Sequence, residues 1–322
     1  MSAGLLLLAM LVRALPASSY DLAWWQAIVS VEQAESHGDC SAALVGIRSA
    51  IKSVQYFGPG DLRAALTYSK LGGLYRCTGQ LRDSENAYLK SLAIWERVAP
   101  NNPRVATVLM ELSNVYVFIG ETAKAERLGR RAIAIEEHAF GLQDLRLVYP
   151  LQSLAIALQS AHRYDEALGL YKRAIDILGH DGHTNVLLVA SLRGKLGELL
   201  GRMGLLDDAI TEARGALDIL ETVPDQSRFR LAAFRTTLAK LYCLAERWQD
   251  AYGPIVKAKD EAYNALGPDH FVLEPILLTY AEVLRHTNRK REAREITRRA
   301  KAIRERFEQD NALGAVIDVG GH

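Results

Sequence analysis

The chain has 322 residues, 49% apolar and 24% charged, with a net charge of +1. This composition can bury a large core and excludes a disordered chain. A net charge near zero gives no global attraction to nucleic acid or to an anionic membrane.

Residues Leu5 to Val12 are uninterrupted apolar and are followed by Arg13 and the small-residue stretch Ala14-Leu15-Pro16-Ala17-Ser18-Ser19. A bilayer takes about twenty apolar residues to cross, so this run is too short. Segment 1–19 fits a secretory signal cleaved after Ala17 or Ser19; the alternative is an extra apolar helix capping the first helix pair of the chain. With a signal the protein is exported (periplasmic, envelope-associated or secreted), and without one it is cytoplasmic. No other segment is a transmembrane candidate.

From residue 20 to 308 one pattern recurs. It is cleanest at Leu154, Ala155, Leu158, His162, Ala167, Tyr171 and Ala174. Spacings of three and four place these groups on one face of each of two helices joined by a turn near His162. Small residues at Ala155 and Ala167 let the helices approach, and Tyr171 fills the space beside them. Tyr20 to His37 is expected as the first helix of copy one, with Trp24 and Trp25 about 100° apart on it. One should pack on copy two and the other cover the open end. Copy one keeps Gly38, Ala43, Ile47 and Ala50. Copy two then reads Leu71, Gly72, Tyr75, Gly79, Ser84, Tyr88, Ser91, and copy three Leu112, Ser113, Tyr116, Gly120, Ala125, Gly129, Ala132. Copies five to seven begin this series at Leu196, Leu238 and Tyr280. Steps between equivalent positions are 41, 42, 42, 42 and 42 residues. The copies lie near 24–56, 65–98, 106–139, 148–179, 190–222, 232–265 and 274–306, and 309–322 is expected as a mobile tail.

Cys40 begins the second helix of copy one and Cys77 ends the first helix of copy two. Antiparallel neighbours would bring a helix start beside a helix end, so the two sulfurs either form a disulfide or sit nearby unbonded. Cys243 occupies a buried-type position. Between Arg285 and Arg306 ten cations face Glu292, Glu295 and Glu305. Arg298, Arg299, Lys301 and Arg304 form a basic patch, read either as a solvated end helix suited to its C-terminal dipole or as a docking patch for an acidic partner or nucleic acid.

The template resembles the tetratricopeptide repeat. Its long period, and the linkers Phe57-Gly58-Pro59-Gly60-Asp61, Phe140-Gly141-Leu142-Gln143-Asp144 and Leu266-Gly267-Pro268-Asp269-His270, resemble the kinesin light chain subfamily. The resemblance implies an all-α, right-handed superhelical solenoid of about seven antiparallel helix pairs, with first helices lining a concave groove. Offsets from the packing stripe then place Lys70, Arg76, Asn114, Gln152, Lys195, Arg202 and Lys240 on that lining. Asn114 has amide groups able to bond a peptide backbone, and the cations can meet carboxylates. Asn114 lacks a second Asn at the equivalent place in a neighbouring copy, so a complete clamp for a terminal carboxylate is not expected.

Local catalytic signatures such as HExxH, a phosphate-binding glycine loop, GxSxG and paired CxxC are absent from the sequence. His180-Asp181-Gly182-His183 offers three metal-ligand types in four residues, a pattern that is more often a polar turn. The expectation is a non-enzymatic scaffold or adaptor without metal or cofactor. It would hold a protein or peptide segment in its groove, with nucleic acid disfavoured. The alternative is a regulatory module controlling an enzyme or transcription factor in trans.

Overall fold

The computed structural model describes residues 19–36, 39–180, 185–223 and 228–318. Among them the chain is all-α, with fourteen α-helices and no strand. In chain order these are α1 (Ser19–Ser36), α2 (Cys40–Val54), α3 (Leu62–Cys77), α4 (Leu81–Val98), α5 (Pro103–Ile119), α6 (Thr122–Phe140) and α7 (Val148–Ser160). They continue as α8 (Tyr164–His180), α9 (Val186–Arg202), α10 (Leu206–Thr222), α11 (Arg228–Leu244), α12 (Trp248–Leu266), α13 (Leu273–His286) and α14 (Lys290–Asp318). The chain forms two compact units, Met1–Leu170 and Tyr171–His322. The proposed signal segment, Gly38 and the Asp181–His183 cluster lie outside the described residues.

Local chemistry sets the helix ends. Side chains of Asp39, Asp61, Asn102, Asp144 and Asn185 accept backbone N–H groups two or three residues on, at 2.8–3.2 Å, satisfying donors that a helix start leaves open. The turn after the first helix repeats one shape in copies two to seven. Gly79, Gly120, His162, Gly204, Glu246 and Asn288 all have positive φ, from 56° to 87°. The next residue donates its N–H five residues back in every case: Gln80 to Tyr75, Glu121 to Tyr116, Arg163 to Leu158, Leu205 to Leu200, Arg247 to Tyr242 and Arg289 to Leu284, at 2.8–3.0 Å. This is the left-handed helix stop that favours Gly or Asn. Its carbonyl acceptors are the Tyr/Leu positions of the sequence template.

In the first unit, α1 pairs with α2, α3 with α4, and α5 with α6. The seam is tight where the template has small residues. A Cβ on Gly72 would stand 2.8 Å from the buried Tyr88 ring, and one on Gly129 3.2 Å from Leu154 of the next copy. Where Ser replaces Ala, its hydroxyl donates across the pair: Ser84 to the Gly72 carbonyl at 2.7 Å and Ser113 to the Ala125 carbonyl at 2.8 Å. The core runs through Val105, Leu109, Leu112, Val115 and Tyr116 on α5, each large buried side chain contributing about 1.5–3 kcal/mol. Trp24 is buried and donates its indole N–H to Thr67 of copy two at 2.8 Å. Its neighbour Trp25 is half-buried against the same cluster.

In the second unit, α9 pairs with α10, α11 with α12, and α13 with α14. Gly197 lets the α10 backbone come close, since its Cβ would meet the Ala209 carbonyl at 3.0 Å. α14 continues into the expected tail segment, as far as Asp318. Ala312, Leu313, Ala315 and Val316 are compatible with helix, and one interior Gly costs only about 1 kcal/mol.

Candidate functional site

Successive first helices touch within each unit: α3 with α5 and α5 with α7, then α9 with α11 and α11 with α13. The seven proposed lining residues fall on these helices, but most are already engaged. In the first unit Lys70 reaches Glu32 (3.5 Å) and Glu35 (3.1 Å) of copy one. Arg76 lies 3.3 Å from Glu111 of copy three, in a charge contact rather than an aligned hydrogen bond. The Asn114 side-chain carbonyl accepts the Ser153 hydroxyl of copy four at 3.0 Å. Gln152 is half-buried. These contacts form a polar ladder, each rung joining one copy to the next.

In the second unit Lys195 pairs with Glu198 one turn along at 3.0 Å. Arg202 and Lys240 are exposed, and no carboxylate among the described residues pairs with either.

Sequence reasoning missed two residues on this face. Phe118 follows Asn114 by four residues, and Leu244 follows Lys240 by four, so each shares a helical side with its polar neighbour. They hold the same place in their repeats as Arg202, and they are 67% and 62% exposed. The signal was present: each lies six residues after the first template Leu, outside the packing series, where a large apolar group has no seam to fill.

The basic patch does not hold together as one surface. Arg299 stacks over Tyr263 (4.9 Å) and donates to the Pro268 carbonyl, whereas Arg304 pairs with Glu274. Arg298 and Lys301 instead line a concavity of about 430 Å³ with Arg285, Ala293, Arg294 and Thr297. Helical spacing decides this division, since residues 294, 298 and 301 share a side that 299 and 304 do not.

Cys40 and Cys77 are joined as a disulfide with Cα atoms 6.2 Å apart. Cys243 is a free thiol, and burial, with Glu282 nearby, pushes it up to about 12; it is an unreactive packing group. Among the described residues no three His, Cys, Asp or Glu side chains gather as metal ligands. No described helix is long and apolar enough to cross a membrane.

The tetratricopeptide repeat profile matches residues 63–138 and again residues 151–179. These two segments carry tetratricopeptide repeats. Over 247 residues it is 26% identical to the protein kinesin light chain-related 2 of Arabidopsis thaliana, covering 73% of this chain and 37% of that one. The chain therefore spans little more than a third of that relative's length. Among solved structures, the repeats resemble BtubC (BKLC) from P. vanneervenii, with a TM-score of 0.55 at 18% identity, covering 77% of this chain and 92% of that one. They also resemble a Rap protein complexed with competence and sporulation factor, with a TM-score of 0.64 at 14% identity, covering 92% and 90%. At these identities the likeness is one of fold.

Proposed function

We propose that this protein is a non-enzymatic adaptor whose first-helix face binds a peptide or protein segment. The observation that carries this reading is the exposure of Phe118 and Leu244 at one repeat offset, each a turn from a polar partner. A solvated face has no need of large apolar groups, whereas a bound segment could cover Phe118 and meet Asn114 in the first unit, or cover Leu244 and meet Lys240 in the second. The fold supports protein binding in general, and a fold relative is known in complex with competence and sporulation factor.

We further propose export, directed by segment 1–19. The Cys40–Cys77 bridge suits an oxidising compartment, and the apolar run before Pro16 suits a secretory signal.

A paired pull-down from the native host tests both readings. The baits are wild type and Phe118→Ser/Lys240→Ala/Leu244→Ser, each checked for unchanged helicity and with its N-terminus mapped. A partner held by wild type and lost by the variant is the expected result. The same partner retained by both baits would overturn the first-helix face as the site, and an intact Met1 on mature protein would overturn cleavage.

A further inference from the structure

We propose a second binding site, centred on the second helix α14: its Arg294–Arg298 side receives an acidic amphipathic helix from a partner protein. The concavity of about 430 Å³ beside α14 is lined by Arg285, Ala293, Arg294, Thr297, Arg298 and Lys301. All four charged groups are cationic, and no carboxylate among the described residues pairs with any of them. Nearby cations differ: Arg289 is held by Glu292, Arg291 by Glu295, Arg304 by Glu274 and Arg306 by Asp269.

The repeat itself tells what this side of a second helix is for. Thr297 holds the template place that Gly129 holds in copy three, and Gly129 packs against Leu154 of the next first helix. At the same place Tyr88 and Ala213 lie against Gly72 and Gly197 of their own first helices, so α14 offers here a small-residue place that a helix can approach, as in copy three. Lys301 stands where copies two, three and five have the apolar residues Leu92, Ile133 and Leu217. Exposure to water accounts for polarity, but charges of one sign, none paired with a carboxylate among the described residues, go beyond that need. A helix seated here would set small apolar groups over the half-buried Thr297 and place carboxylates against the cations. The Thr297 hydroxyl donates to the Ala293 carbonyl at 2.8 Å, so the floor offers no hydroxyl donor for a compact anion.

Charge geometry disfavours a nucleic acid. Residues 294 to 301 cover about 10 Å of helix, and Arg289, Arg291, Arg304 and Arg306 nearby are engaged within the chain, so only a short free track meets a phosphate backbone.

The test is fluorescence anisotropy on the full chain, with a labelled helical peptide alternating Glu and Ala at three- and four-residue spacing. Its Gln-for-Glu counterpart, an unstructured oligonucleotide and phosphatidylserine vesicles serve as competitors. The expected result is binding of the Glu peptide that weakens about tenfold or more in Arg294→Ala/Arg298→Ala and stays within about twofold in Arg299→Ala/Arg304→Ala. Absence of binding, equal binding of the Gln peptide, equal loss in both variants, or displacement only by the oligonucleotide or vesicles would each overturn the proposal. Melting curves of both variants separate loss of binding from loss of fold. Because the substituted Arg294 and Arg298 lie on the second helix α14, failure here would leave the groove reading standing.

Discussion

In the first unit, copies one and two are joined by a covalent and largely apolar contact: the Cys40–Cys77 bridge, with Trp24 set between the copies and donating to Thr67. In the second, copies five and six are joined by an ion. Arg235 on α11 is 7% exposed and pairs with Glu221 of α10 (2.5 Å) and with Glu261 of α12. The first-helix faces differ in a parallel way, self-paired at Lys70, Arg76 and Asn114 but open at Arg202 and Lys240. One packing template can therefore be fastened by quite different side-chain chemistry. A polar residue on the right face is also not necessarily an available one.

Reduction gives the largest expected effect. Breaking the disulfide, or replacing both cysteines by Ala, should cost about 2–4 kcal/mol in denaturant unfolding. Dithiothreitol should then do nothing further to the double variant. If wild type unfolds identically with and without reductant, the covalent joint contributes nothing and the contrast between units fails. Next, Arg235→Ala should cost about 2–3 kcal/mol, because it strands the partly buried Glu261 carboxylate, reduced by the exposure of Glu221. Arg235→Met, which keeps volume without charge, should be less costly if charge stranding is the cause.

The two faces can be compared directly. Arg76→Ala should lower stability by up to about 1 kcal/mol, and Lys240→Ala by less than about 0.5. Equal melting shifts would mean the ladder in the first unit is geometric only.

The smallest effect concerns Glu136, buried on α6 with one carboxylate oxygen lacking a hydrogen bond. Burial raises its carboxyl above the ordinary value, partly opposed by Arg146. A raised folded-state value means that the cost of ionising it appears above the unfolded value of about 4.3 and is absent below it. Glu136→Gln should therefore raise the melting temperature at pH 7 and leave it unchanged near pH 3. An equal gain at both pH values would point to packing instead.

The fold was legible because its determinants are local and repeated. Leu154 and Ala155 advertise a helix pair by size and spacing, and spacing alone locates the turn positions. His162, Glu246 and Asn288 stand in that series despite not being Gly, and their φ values show that the position, rather than the residue type, is repeated. The candidate site was legible only to the level of a face. Periodicity placed Asn114 there, but Ser153, some forty residues on, determines what its side-chain carbonyl meets. The division of the basic patch likewise depends on Glu274 and Tyr263, residues outside α14. Single-helix spacing carries no information about such neighbours.

The left-handed turns have a further consequence. Each joint is closed by hydrogen bonds reaching back no more than five residues, so its shape owes nothing to distant copies. Excising residues 205–246 would place Arg247 directly after Gly204, yet Arg247 already follows a left-handed residue in the intact chain. The new joint would have the geometry of the old ones. Copy number is thus a quantity that duplication or deletion can change in whole steps, lengthening or shortening the first-helix face without redesigning any turn.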